Sequence, residues 1–504
     1  MHEAHLALHP SAEIGAVDPR LYGSFVEHLG RAVYDGIYEP GHPAADADGF
    51  RTDVIELVKE LGVTTVRYPG GNFVSGFRWE DSVGPVEERP ERLDLAWHST
   101  ETNEVGLHEF AAWLETVGAE PMLAVNLGTR GTAEALELLE YANIGAGTAL
   151  SELRAANGRP EPFGVRMWCL GNEMDGPWQL GHSSAEDYGK LAARTARAMR
   201  QLDPAVELVV CGSSNAQMPT FGEWERVVLN HTYDLVDYVS CHAYYYERDG
   251  DLGSFLASAV DMDHFIDSVV ATIDHVRAVT GSSHVVNVSF DEWNVWYQDR
   301  FENVDKIHGI DNWPTAPRLL EDAYTVADGV VVGNLLISLL NHADRVTAAS
   351  LAQLVNVIAP IMTEPGGPAW RQSTFFPFAL TSSLAKGEAL RVAVESEHYP
   401  TQRYGAVPVI DAAATHNRAA GTAAVFLVNR SQTDTASVTV DLARLGQLRR
   451  VEARTLADDD PYAANTLEAP ERVAPKGNDS VALTAGGLSI ELPPVSWTAV
   501  SLAE

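Results

Sequence analysis

The chain has 504 residues, 45% hydrophobic and 21% charged, which is long enough for two or three domains or for one barrel with an appendage, and for a sizeable core. Its 70 acidic against 35 basic side chains give a formal net charge of −35, a field that disfavours nucleic acid and anionic membranes as partners and suits a neutral substrate. Cys169, Cys211 and Cys241 each sit in an apolar run, and an odd number without CxxC spacing argues against a disulfide framework or a zinc site and for small buried hydrophobes.

The opening MHEAHLALHP has no basic segment followed by an apolar one, and no apolar run reaches the ~20 residues that span a membrane, so a cytoplasmic protein is expected. Along the chain, apolar runs alternate with segments of helical period. The expected strands are Tyr22–Leu29, Val63–Tyr68, Pro121–Leu127, Val165–Leu170, Val206–Gly212, Val236–Ala243, Val285–Glu292 and Val346–Leu351. The expected helices include Arg51–Leu61, Leu107–Val117, Thr132–Tyr141, Ala185–Leu202, Phe265–Val279 and Glu321–Leu340. Continuous apolar strands alternating with helices predict a parallel sheet under helices, and eight such units predict a closed (β/α)8 TIM barrel over residues 20–380. From about residue 381 to 504 the rhythm changes to short strands (Ala423–Val428, Ala436–Val440, Val481–Thr484, Leu488–Leu492, Trp497–Leu502) between Gly, Pro, Asn and Asp turns, the pattern of an all-β, jelly-roll-like sandwich. Residues 1–19, with His5–Leu8 as a strand, are expected to join that sandwich.

Loops after the C-terminal ends of barrel strands form the active face, so polar residues there are the first candidates. The fourth strand runs into Leu170-Gly171-Asn172-Glu173-Met174-Asp175, and the seventh into Asp291-Glu292-Trp293-Asn294. Glu173 and Glu292 are 119 positions apart, and a closed barrel would bring them together across its mouth. Two carboxyls so placed suit glycoside hydrolysis, which needs a protonated carboxyl at the leaving oxygen and a carboxylate at the anomeric carbon. His242 could orient the nucleophile or Tyr244, or be a satisfied structural histidine. Trp178, Trp296 and Trp313 could stack on a neighbouring sugar or pack the rim, and Asp175 and Asp291 read as turn or supporting residues. Gly145-Ala146-Gly147 lacks a third glycine, His108-Glu109 lacks a second histidine, and no GxSxG or P-loop is present, so neither a metal nor a nucleotide cofactor is expected.

WCLGNEMDGPWQ (168–179) and DEWNVWY (291–297) resemble the acid/base and nucleophile segments of glycoside hydrolase family 51, the α-L-arabinofuranosidases. The resemblance extends through YGSFVEHLGRAVYDGIYEP (22–40), VRYPGGNFVSGFRWEDSVGP (66–85), SCHAYYYE (240–247), LAQLVNVIAPIMT (351–363), GGPAWRQSTFFPFA (366–379) and LPPVSWTAVSL (492–502), nearly the whole chain in order. It implies Glu173 as general acid/base, Glu292 as nucleophile, Asn172 as the partner of the sugar 2-hydroxyl, and Glu27, Asn72, Tyr244 and Gln353 as residues that bind the furanose hydroxyls and orient the nucleophile. It further implies release of terminal non-reducing α-L-arabinofuranosyl groups from oligo- and polysaccharides with retention, and a homohexamer. The alternatives are another retaining glycosidase on the same scaffold, an endoglucanase or β-xylosidase, or a sugar-binding protein without catalysis. The Trp293–Arg318 loop is expected to wall the leaving-group side.

Overall fold

The computed structural model describes residues 2–504 except 443, 444, 446, 447 and 485. Eight parallel strands close into a barrel in chain order: Gly23–Phe25, Thr65–Tyr68, Glu120–Ala124, Met167–Leu170, Glu207–Val210, Tyr238–Tyr245, Asn287–Val295 and Val346–Leu351, the last pairing back onto the first. The apolar runs conceal an alternation. Met167 and Cys169 point into a small inner cluster with Met122, Ala124, Val209 and Ala348, whereas Trp168 and Leu170 join the larger core under the helices. Burial on both faces is why these strands read as unbroken apolar runs.

The helices follow from their ends and faces. Ala185–Leu202 begins at Ser184, whose hydroxyl accepts the Asp187 N–H, and buries Tyr188, Ala192, Ala196 and Met199 along one face. Several boundaries differ from expectation. The last barrel helix spans Val326–Asn341 and not Glu321–Leu340, because Thr325 caps it through the Asp328 N–H. Phe265–Val279 belongs to a longer helix of 22 residues, Ala259–Thr280, and a helix absent from the expectations, Glu223–Thr232, covers the fifth crossover. The sixth and seventh strands run on to Tyr245 and Val295, so Tyr244 and Glu292 stand on strand backbone.

His2–Ala16 is a strand of a second, ten-stranded sheet among the described residues, antiparallel to Glu388–Ser396 and parallel to Ala436–Asp441. Glu388–Ser396, Ile410–Asn417 and Arg450–Leu456 belong to this sheet although their sequences did not announce them, and the expected Val481–Thr484 reduces to Ala482–Leu483. On Thr422–Asn429, Val425 and Leu427 face the sheet's own core, while Ala424, Phe426 and Val428 face the barrel. Helix Val326–Asn341 fills that junction and is buried on every side from Val326 to Leu340. Gly333 allows the approach: a Cβ there would lie 2.2 Å from the Trp497 ring. Arg430 spans the same junction, donating to Asn334 Oδ1 and to Asp411 Oδ2 at 2.7 and 2.6 Å.

Candidate active site

At the C-terminal end of the barrel, four strands deliver a buried cluster of charge. The second supplies Arg67, the fourth runs into Asn172 and Glu173, the sixth carries His242 and Tyr244, and the seventh carries Asp291 and Glu292. Glu292 accepts hydrogen bonds at both oxygens, from Arg67 Nη1 to Oε1 and from the Tyr244 hydroxyl to Oε2, each at 2.7 Å. The other arm of Arg67, Nη2, donates to Asn172 Oδ1 at 2.6 Å. That contact fixes the amide, so its nitrogen faces Asn72 Oδ1 at 3.2 Å. The guanidinium lies over the Phe25 ring at 5.0 Å, a planar cation held in a dry site by stacking and paired acids.

Glu173 sits in a turn and not on a strand. Its φ of +45° lies in the left-handed region, which a side chain other than glycine adopts at a cost, and such residues concentrate at functional sites. Its Oε2 accepts the Trp178 indole N–H at 2.7 Å, and its Oε1 meets His242 Nδ1 at 2.9 Å. His242 Nε2 faces Asp291 Oδ1 at 3.1 Å, and Nδ1 is also 3.6 Å from Glu292 Oε2. Burial disfavours a charged imidazole, but Glu292, Asp291 and Glu173 outweigh it and push His242 up to about 10. At neutral pH the ring is an imidazolium that donates from both nitrogens. Donor atoms of Glu173, His242 and Glu292 lie within 4.8 Å of one another, a spacing that could also hold a metal ion. A protonated ring has no lone pair to offer one, and it already supplies the positive charge between the acids.

Glu27 forms the opposite wall. Its Oε1 accepts the Phe73 N–H and the Trp97 indole N–H at 2.9 Å, and Oε2 accepts Gln353 Nε2 at 3.0 Å. Burial pushes its carboxyl up to about 8; the Phe73 and Trp97 donors pull it down and Glu292 adds to the rise. Gly70, at φ +144°, allows the turn after the second strand to pass this close, since a Cβ would sit 2.2 Å from Glu27 Cγ. Trp296 packs edge-on to Tyr244 with ring centroids 5.2 Å apart and reaches Phe301, which in turn meets Trp97.

Glu173, Glu292, Asn172, Asn72, Tyr244 and His242 therefore form one cluster of hydrogen bonds and ion pairs, with Glu27, Gln353 and Trp296 lining its margin. Trp178 is half-exposed and touches Glu173, whereas Trp313 stacks on His98 at 3.7 Å and bonds no carboxyl of the cluster. Asp175 accepts from the Ser214 N–H at 3.0 Å and anchors the turn that carries Glu173. Arg67 and Trp97 were not singled out from sequence. Arg67 had a signal, a charge in the middle of the apolar run Val63–Tyr68, which only a buried partner can satisfy. Trp97 had none, lying in an aperiodic loop between the short strands Arg92–Asp94 and Ser99–Glu101. Among the described residues the cysteines are free and buried, and the Cys169 thiol points at Asp291. No helix among them is long and apolar enough to cross a membrane.

Two family models match the chain: the "alpha-L-arabinofuranosidase 1 domain" over residues 57–264 and the "alpha-L-arabinofuranosidase C-terminal domain" over residues 291–496. A Streptomyces lividans protein named intracellular exo-α-(1→5)-L-arabinofuranosidase is 61% identical, covering 100% of this chain and 76% of its own length. A Bifidobacterium longum protein named exo-α-(1→6)-L-arabinofuranosidase is 62% identical, covering 99% and 97%. Among solved structures, a family 51 α-L-arabinofuranosidase from Bifidobacterium longum superposes with a TM-score of 0.95 at 51% identity, covering 99% of each chain.

Proposed function

Since the chain belongs to glycoside hydrolase family 51, the retaining, exo-acting α-L-arabinofuranosidases, we propose that Glu292 is its nucleophile and Glu173 its general acid/base. The observation that carries this reading is the separation of the two carboxyls, whose facing oxygens lie within 4.8 Å. Retaining pairs stand ~5–5.5 Å apart, whereas inverting pairs keep ~6.5–9.5 Å for an intervening water.

Glu292 attacks the anomeric carbon as the bond to the leaving oxygen breaks, and Glu173 gives that oxygen its proton. Arg67 and Tyr244 hold the two oxygens of the nucleophile and aim it beforehand. Glu173 is then a carboxylate, stabilised by the N–H groups of His242 and Trp178, and takes a proton from the water that attacks the arabinosyl-enzyme. Asn172, turned by Arg67, presents its amide N–H to the sugar 2-hydroxyl, while Glu27, Asn72, Gln353 and Tyr244 meet the remaining polar edge of the ring and Trp296 its neighbour. We take linear α-(1→5)-arabino-oligosaccharides as substrates and the cytoplasm as the compartment, supported by the name of the Streptomyces lividans relative. A homohexamer is the assembly we propose from family membership, and light scattering on the purified protein tests it.

The function is tested by NMR during hydrolysis of 4-nitrophenyl α-L-arabinofuranoside and of α-(1→5)- and α-(1→6)-linked arabinosides, with and without prior chelation. Arabinose should first appear as the α anomer at a rate chelation does not change. First release of the β anomer would overturn the retaining assignment, and activity restored only by a divalent ion would overturn the proton-only scheme.

A further inference from the structure

A cavity of about 230 Å³ adjoins the catalytic centre and has no part in the steps above. It shares two walls with that centre. One is the segment from Asn72 to Phe77: the Phe73 N–H donates to Glu27, and the Phe73 and Phe77 rings, with centroids 5.2 Å apart, line the cavity. The other is the turn after Arg92–Asp94, where Asp94 accepts the N–H groups of Ala96 and Trp97, and the Trp97 indole bonds Glu27. Whatever fills the cavity is therefore one residue's breadth from the groups that grip the reacting sugar.

The lining has the chemistry of a carbohydrate site. Leu93 and Leu95 stand on its lip at 55% and 60% exposure, among the most exposed large apolar side chains described. The Arg78 guanidinium opens onto it with no hydrogen-bond or ion-pair partner among the described residues, while Arg92 is already held by Asp81 at 2.8 Å. Arg78 and Arg92 face Asp81, Asp94 and Glu101, so the walls carry no excess positive charge to select an anion. Aromatic and aliphatic surface beside a free fork of N–H donors matches a ring with one apolar face and hydroxyls at its edge. The volume falls below the ~300 Å³ at which pockets for drug-sized ligands begin, and suits a single small ring.

We infer that this cavity is a subsite for a further, neutral pentosyl ring of the substrate chain, beyond the two joined by the cleaved bond, with Phe77 and the two leucines against the ring's apolar face and Arg78 on its hydroxyls. The inference rests on the arabinofuranosidase reading and adds a position that reads chain length or branching, remote from the bond being cleaved.

Two variants test it in opposite ways. Arg78→Ala removes the hydrogen-bonding arm. Gly76→Phe fills the space, since Gly76 lines the cavity with φ −105°, a conformation any residue adopts, and a Cβ there would be 3.4 Å from Leu180 Cδ1. Both are compared with the parent on 4-nitrophenyl α-L-arabinofuranoside and on α-(1→5)-arabino-oligosaccharides of increasing length. The expected result is kcat/KM within about twofold of the parent on the aryl glycoside and a loss of about tenfold, mostly in KM, that emerges as the oligosaccharide lengthens. An equal loss on every substrate would mean a merely structural effect, and no loss at any length would mean an empty cavity; either overturns the subsite. Failure of the parent to cleave the aryl glycoside would instead sink the reading on which the subsite rests.

Discussion

The two carboxyls of the site are housed in opposite ways. Glu292 is on a strand, with both oxygens held by donors that are themselves packed on strands. Glu173 is in a turn at positive φ, with one oxygen on a buried imidazolium and the other on a half-exposed indole. The contrast follows from their tasks. A nucleophile is needed in one place, and fixed donors on both oxygens take away its freedom. An acid/base must lose a proton to the substrate and gain one from water in each turnover, so one of its oxygens has to border a group that solvent and substrate can displace.

The strongest way to break this contrast is Glu292→Gln. The amide keeps the shape and cannot form the glycosyl ester, so turnover should fall by at least roughly 10⁴-fold with folding intact. A variant retaining a tenth of parental activity on an aryl arabinofuranoside would refute the nucleophile. Glu173→Ala sharpens the contrast through the leaving group. On arabino-oligosaccharides the loss should be about 10²–10⁴-fold, the range that proton transfer contributes, whereas on a dinitrophenyl glycoside the first step is nearly spared and the intermediate accumulates. Azide needs no base and should restore turnover, giving an arabinofuranosyl azide of α configuration; a uniform loss across leaving groups, or a β azide, counts against the assignment.

The smallest of the effects is read in pH. His242 is raised from its ordinary 6.5 to about 10 in the folded chain, so folding favours the protonated ring. That stability is fully present below pH ~6.5 and is lost as pH rises through about 10. His242→Gln should therefore be less stable than the parent at pH 6, and the gap in Tm should close between pH 7 and pH 10. A gap independent of pH would mean that the ring is neutral and that another cation balances the three acids.

Much of this was legible in the sequence, for uneven reasons. The barrel shows because each strand must be apolar on both faces, as Met167–Leu170 is, and because capped helices such as Ala185–Leu202 punctuate them. The sheet of the second unit was read less completely. Glu388–Ser396 buries only its start and alternates with half-exposed and exposed positions thereafter, so its composition resembles that of a loop. At the site, Glu173 and Glu292 are announced by motifs that local sequence carries whole. Trp97 is not, because its position depends on Asp94 gathering two backbone N–H groups of an irregular turn, an interaction with no period and no signature.

The helix at Val326–Asn341 carries a different kind of information. From Val326 to Leu340 it has no face for water: the barrel takes one side and the sheet the other, with Trp497 seated against Gly333 and Arg430 bonded to Asn334. A boundary drawn through the chain there would strip an apolar cylinder of half its cover and strand a buried guanidinium without its acceptor. The barrel and the sheet are thus not interchangeable modules in the way that linker-joined domains are. The sheet acts as the missing outer layer of the barrel, and a chimera exchanging it for the sheet of a distant relative would have to bring its own version of this helix.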